Sequence, residues 1–145
     1  MKRLVLSMTI LAAAFALTGG TASATTGTAT FGEPGVTGCS LSGDHGTATW
    51  DTETSQGPKA RVRATDLSPK SEYSVQIVSG CNLENAPDQV LGTLKTNPKG
   101  NGNGSFSFEA SPMSGLVFRL VPIVNGVPDQ TGLMFYTDFV NLSSP

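Results

Sequence analysis

The sequence predicts a single all-β domain, a β-sandwich of about seven strands, and two features of the chain lead to this prediction. Segments of four to nine residues that are rich in β-branched and aromatic residues alternate with clusters of Gly, Pro, Asn and Ser. After residue 24, no stretch keeps an apolar period of 3.6 residues over twelve positions, so no amphipathic helix is expected. The length of 145 residues leaves no room for a second domain of ordinary size.

The first 24 residues have the three parts of a secretory signal peptide. Lys2 and Arg3 precede an apolar run of fourteen residues (4–17), and Ala22-Ser23-Ala24 provides the small residues that signal peptidase needs. The run is shorter than the roughly 20 residues of a membrane-spanning helix. We therefore expect cleavage after Ala24 and a secreted, extracellular protein with no membrane anchor. Residues 25–45 are then a flexible N-terminal segment, and residues 46–145 form the sandwich.

Alternation of apolar and polar residues places the strands in order along the chain. Residues 116–124 are apolar on both faces except at Arg119, which is typical of a central strand. Residues 97–104 are rich in Asn and Gly, which tolerate positive φ, and predict the turn of a β-hairpin that spans residues 90–110. Strands are expected at 46–51, 59–66, 73–79, 90–96, 105–110, 116–124 and 133–140. The expected core consists of Trp50, Val62, Leu67, Tyr73, Val75, Ile77, Phe106, Phe108, Phe118, Leu120 and Phe135.

Cys39 and Cys81 are the two cysteines of the chain. In an exported protein, an even number of cysteines predicts a disulfide, here Cys39–Cys81. The bridge closes a loop of about 42 residues, which is worth on the order of 4 kcal/mol in the chain-entropy model. The alternatives are a reactive thiol or a metal ligand, and no CxxC motif or nearby His supports either one.

The segment from Arg61 to Ile77 resembles the tyrosine-corner region of fibronectin type III and other immunoglobulin-like sandwiches. Leu67, Pro69, Tyr73, Val75 and Ile77 occupy the positions of the family pattern L-x-P-x-x-x-Y-x-V-x-V. The resemblance implies a single immunoglobulin-like or Greek-key sandwich in which the Tyr hydroxyl bonds the backbone just upstream. A fainter likeness, the same corner followed by a Cys, is to secreted chromoprotein apoproteins of the neocarzinostatin type. That likeness implies a small-molecule carrier.

Catalytic and metal chemistry find little support in the composition. His45 is the only histidine and lies in a turn-like stretch, and there is no GxSxG motif, so neither a Ser-His-Asp triad nor a His-based metal site is expected. Asp44, Asp51 and Glu53 are the best oxygen ligands for a cation, but three dispersed acids are more typical of solvated charge. We therefore expect no enzyme, no metal and no cofactor. A net charge of −2 also argues against nucleic acid as a partner.

Lys59, Arg61 and Arg63 are the residues with the clearest binding potential. On a strand they project from one face about 6.6 Å apart, and they form a possible contact for an anionic polymer such as a cell-surface polysaccharide. The alternative is that their charge protects an edge or outer strand from aggregation. The sequence thus predicts a secreted, non-catalytic protein that binds a cell-surface component or a partner protein. A small-molecule carrier with a cleft between its sheets is the alternative function.

Overall fold

The structure is a computed structural model that describes residues 26–35, 40–81 and 84–143. These residues form ten strands and no helix, so no described segment is a helix that could cross a membrane. The strands are β1 (Thr26–Pro34), β2 (Leu41–Ser42), β3 (Gly46–Asp51), β4 (Lys59–Ala64), β5 (Glu72–Ser79), β6 (Gln89–Lys95), β7 (Gly102–Ser107), β8 (Leu116–Val124), β9 (Val127–Pro128) and β10 (Phe135–Thr137).

All the strands pair in antiparallel fashion in one sheet that is nearly closed into a barrel. The main path runs β6-β5-β8-β10-β1-β3-β4-β7, with β2 beside β1 and β9 beside β8. Strand β1 joins the two halves of the sheet, because residues 26–30 pair with β3 while Phe31 and Gly32 pair with β10. The all-β prediction is therefore confirmed. The signal peptide predicted at residues 1–24 lies outside the described residues.

The two halves of the sheet enclose the core. The Trp50 ring of β3 lies 5.9 Å from the Phe118 ring of β8, and Phe108 meets Phe118 edge to face at 6.5 Å. Ten of the eleven residues expected in the core are at most 8% exposed, whereas Phe106 is only partly buried against it. The space between the two halves is thus filled by side chains.

The sheet begins earlier than the sequence indicates. Residues 25–45 were expected to form a flexible segment before the domain, but β1 and β2 lie within that range. The short Thr, Ala and Gly side chains of β1 provide little apolar signal, yet this strand pairs with β3 on one side and β10 on the other. For the described residues, Thr26 rather than Gly46 is the start of the sheet.

The prediction that residues 90–110 form a β-hairpin is wrong about which strands pair, although the predicted turn is present. Strand β6 pairs with β5 and β7 pairs with β4, and the bridge between Thr96 and Gly102 links the two strands near the turn. At the far end, the Gln89 side-chain amide exchanges two hydrogen bonds of 2.8 Å with the backbone of Glu109. The turn therefore joins the two ends of the sheet instead of starting a ladder.

The corner between β4 and β5 carries the hydrogen bond that the sequence motif implies. The Ser68 backbone N–H donates to the Tyr73 hydroxyl at 3.1 Å, and Tyr73 is 2% exposed. The turn at residues 97–101 docks on this corner, because the Leu67 N–H donates to the Gly100 carbonyl at 3.0 Å. A Cβ on Gly100 would lie 2.0 Å from the Leu67 carbonyl oxygen, so only glycine permits this close approach.

Candidate binding surface

The outer side of strands β1, β3, β4 and β7 is a polar surface built by strict alternation. In β4, Ala60, Val62 and Ala64 are buried in the core, so the residues between them must point outward. The same alternation in the neighbouring strands places hydroxyl-bearing side chains beside these cations. We call this surface the hydroxyl–cation face; its residues are Thr26, Thr28, Thr30, Thr47, Thr49, Asp51, Lys59, Arg61, Arg63, Asn103, Ser105 and Ser107.

The strand register arranges this face in three rows across the sheet. One row reads Thr28, Thr49, Arg61 and Ser105, and the next reads Thr30, Thr47, Arg63 and Asn103. The third row reads Thr26, Asp51, Lys59 and Ser107. Neighbouring strands are about 4.8 Å apart, so each arginine stands between a threonine and a further polar side chain.

The charge of the face is concentrated at Arg61 and Arg63. Both are exposed, and within the described ranges neither forms an ion pair or a side-chain hydrogen bond. The third cation, Lys59, is half-buried, donates to the Gln56 side chain and stands directly across from Asp51. The two arginines are therefore the cations that are available to an anion.

A shallow groove of about 570 Å³ crosses this face. Lys59, Arg61 and Arg63 all line it, together with Thr47 and Thr49. Beneath it, the Trp50 ring lies so close to Gly27 that a Cβ there would be 2.3 Å from the indole. The Trp50 indole N–H donates to the Asn141 carbonyl at 3.1 Å, which anchors the floor of the groove. Lys59, Arg61 and Arg63 thus line one groove.

The position of β4 bears on one explanation of its basic residues, the protection of an edge strand. Charge that protects an edge strand is needed only where backbone groups are unpaired. Strand β4 instead lies between β3 and β7 and pairs with both along its whole length. The need to protect an edge therefore does not explain Lys59, Arg61 and Arg63.

A second polar group lies on the outer side of β5, β8 and β10. Arg119 is fully buried, and its Nε and Nη2 donate to the Gln76 side-chain oxygen at 3.0 and 2.6 Å. Burial raises the pKa of the Tyr136 phenol above its ordinary value of 10.0, and the neighbouring Arg119 opposes this rise. We call this group, with the apolar residues around it, the Arg119 cluster; its members are Ser74, Gln76, Val78, Val117, Arg119, Val121, Met134 and Tyr136.

The other residues singled out by the sequence do not form a site among the described residues. His45 lies in the short segment between β2 and β3, and its side chain is largely buried. Its Nε2 lies 3.4 Å from Glu33 and its ring 4.7 Å from that of Phe135. Asp44 precedes β3 and Asp51 ends it, and no group of three or more His, Cys, Asp or Glu side chains that could hold a metal is found there. Cys81 packs against the Arg119 cluster, whereas Cys39 lies outside the described residues, so their bridge stays a prediction.

Two features of these surfaces were missed by sequence reasoning. The threonine columns are visible as Thr-x-Thr repeats at residues 26–30 and 47–49, but such repeats look like unremarkable strand sequence until the register aligns them. The Arg119 cluster depends on residues far apart in the chain, which only strand pairing brings together.

Comparison of the chain with family models, curated proteins and solved structures finds no match to any of them.

Proposed function

We propose that this chain is a secreted, non-catalytic protein whose hydroxyl–cation face binds an anionic polymer of the cell surface. The observation that carries the proposal is the pair of exposed arginines on a fully paired, internal strand. Guanidinium groups are suited to binding oxyanions because their donors form a planar fork. Each has a threonine hydroxyl on one side in its row and the side chain of Ser105 or Asn103 on the other, and these hydroxyl and amide groups donate to the same kind of ligand.

The proposal includes the processing and finer fold expected from the sequence. Residues 1–24 would be removed as a signal peptide, Cys39 and Cys81 would form a disulfide, and the nearly closed sheet would belong to the immunoglobulin-like Greek-key sandwiches. The Tyr73 corner supports the last point, since its hydrogen bond is the one that the resemblance implies. Mass spectrometry of the protein from culture medium tests cleavage after Ala24 and a two-hydrogen deficit. An intact N-terminus or two free thiols would contradict this part of the proposal.

Binding to dextran sulfate, measured by fluorescence anisotropy at low and high salt, tests the proposed function. Replacement of Lys59, Arg61 and Arg63 by Ser is expected to abolish salt-sensitive binding, because it removes every cation of the face. A control in which Lys70, Lys95 and Lys99 are replaced by Ser removes the same charge from the β6–β7 turn and its surroundings. Equal losses in both variants would show that net charge, and not this face, is responsible.

A small-molecule carrier is the second candidate function, and the Arg119 cluster favours it. Carrier sites combine an apolar wall with a few converging polar groups, and this cluster joins buried valines to Arg119, Gln76 and Tyr136. Such a site would lie on the outer side of β5, β8 and β10, because aromatic rings fill the space between the two halves. Native mass spectrometry of the secreted protein tests this: a bound mass that denaturation releases supports the carrier, and a bare ion contradicts it.

A further inference from the structure

We infer that the polymer bound by the hydroxyl–cation face is a polyol phosphate chain, in which a phosphodiester recurs every six backbone bonds. This inference rests on the proposed function and narrows it to one class of ligand. Three properties of the face lead to it: the spacing of its cations, the donors beside them, and the absence of an exposed aromatic ring among its residues.

The spacing of the cations matches the phosphate repeat. Arg61 and Arg63 are separated by two residues of strand β4, which contain six backbone bonds and span about 6.6 Å. A 1,3-linked glycerol phosphate unit also contains six single bonds from one phosphorus to the next, and at the same extension it spans about 7 Å. An extended chain lying along β4 therefore places successive phosphates over successive arginines. A 1,4-linked uronic acid polymer advances only five bonds per charge, at most about 6 Å even without the ring.

The donors in each row suit a phosphodiester better than a carboxylate. A carboxylate is flat, and one bidentate arginine fork uses both of its oxygens. A phosphodiester group is tetrahedral and has two free oxygens on different sides. Thr49 stands directly across from Arg61 and Thr47 directly across from Arg63, so each row offers a guanidinium and a hydroxyl on different strands. Each phosphate can then be held by two donors that approach from two directions.

The composition of the face favours a chain without bases. Proteins that bind single-stranded nucleic acids stack the bases on aromatic side chains. Trp50 is the aromatic residue that lines the groove, and it is 8% exposed with its indole N–H bonded to Asn141. The threonine and serine hydroxyls can instead exchange hydrogen bonds with the hydroxyls of a polyol.

The third row limits the length of the contact to two phosphates. Asp51 stands across from Lys59, so this row carries one negative and one positive charge. A third phosphate over Lys59 would therefore gain little, because the Asp51 carboxylate offsets the charge of the Lys59 ammonium group. Two phosphate contacts on a flexible chain predict that the logarithm of the binding constant falls with log salt with a slope of about −1.4.

Fluorescence anisotropy with the secreted protein and four labelled probes tests the inference. The probes are 1,3-linked poly(glycerol phosphate), polygalacturonate, dextran sulfate and oligo-dT. We expect poly(glycerol phosphate) to bind at least tenfold more tightly than the others, with the predicted salt slope. Arg61→Ser or Arg63→Ser should each halve that slope. Thr49→Val, which keeps the shape of an exposed side chain but removes its hydroxyl, should weaken this probe several-fold and leave dextran sulfate unchanged.

The remaining outcomes separate the inference from the proposed function. Equal binding of all anionic probes, unaffected by Thr49→Val, would overturn the phosphodiester assignment and leave a general anionic-polymer site. Oligo-dT binding as tight as poly(glycerol phosphate) would overturn the choice of a base-free chain. If none of the four probes binds, both the assignment and the proposed function fail. Thermal melting of each variant, followed by Trp50 fluorescence, checks that the fold is retained.

Discussion

Replacement of Gly100 by Ala tests whether the turn at residues 97–101 is docked on the β4–β5 corner as described. Gly100 has φ of 80°, and a Cβ there would lie 2.0 Å from the Leu67 carbonyl oxygen. Gly126 has almost the same backbone conformation, with φ of 79°, but a Cβ there meets nothing within 4 Å. Comparison of Gly100→Ala with Gly126→Ala therefore separates the free-energy cost of a positive φ from the cost of the steric contact with Leu67.

The expected magnitudes follow from these two environments. A left-handed alanine costs about 1–2 kcal/mol, and the less flexible unfolded chain returns up to about 1 kcal/mol, so Gly126→Ala should destabilise by about 1 kcal/mol. Gly100→Ala carries the same cost and also breaks the hydrogen bond between the Leu67 N–H and the Gly100 carbonyl, worth about 1 kcal/mol. Leu67, which is 5% exposed, must also shift in the core. We expect a total of about 3 kcal/mol.

Urea unfolding followed by the fluorescence of Trp50, the single tryptophan, measures both variants. At about 4 °C per kcal/mol for a domain of this size, Gly100→Ala should also melt about 8 °C below Gly126→Ala. Equal destabilisation of the two variants would refute the reasoning, because the contact between the turn and the corner would then contribute nothing. A loss at Gly126 alone would refute it as well.

Three further predictions concern other parts of the fold. Tyr73→Phe leaves the Ser68 N–H without its acceptor and should lower the free energy of unfolding by about 1–2 kcal/mol, whereas Ser68→Ala, which keeps that N–H, should have little effect. Because the folded pKa of Tyr136 is raised, the contribution of this phenol to stability is complete below pH 10.0 and is lost as pH rises through the folded pKa. In a phenolate absorbance titration, the protein should therefore show one tyrosine that ionises above pH 10.0, and Tyr136→Phe should lack it. Gln89→Ala should speed hydrogen exchange of the Glu109 amide about fivefold, and unchanged exchange would show that this side chain does not close the gap between β6 and β7.

The strands that alternate clearly were predictable from the sequence. Residues 46–51 and 116–124 form β3 and β8 with the expected bounds, because the turn residues that flank each strand and the apolar side chains within it indicate the same limits. Strand β1 was missed because two of its core-facing positions, Gly27 and Ala29, carry small side chains, which leaves Phe31 as an isolated apolar residue with no periodic pattern. Its place in the sheet comes from partners far along the chain, in β3 and β10. Sequence spacing alone does not contain that information.

The error at residues 90–110 has a different physical origin. An Asn- and Gly-rich turn between two strands favours a hairpin only if the strands continue to pair with each other. Here β5 and β4 provide longer ladders, and Gly92 and Gly104 leave room for the Phe106 ring to lie between β6 and β7. The candidate site shows the same limit: alternation predicts that Lys59, Arg61 and Arg63 share one side, but their threonine neighbours appear only with the register.

The two outer faces of the sheet differ because their strands differ in composition. In β3 and β4 every second residue is polar, so one side of each strand faces solvent, as alternation implies. Strands β5 and β8 are buried on both sides, and their outward residues include Val78, Val117 and Val121. In the sequence, Arg119 is the one charged residue in a strand that is otherwise apolar on both sides. Its guanidinium is the polar centre of a second cluster, because a buried charge persists only where other groups accept its hydrogen bonds, and Gln76 accepts two of them. A charged residue in a strand that is apolar on both sides therefore indicates a buried polar network, and its partners must be sought on the neighbouring strands.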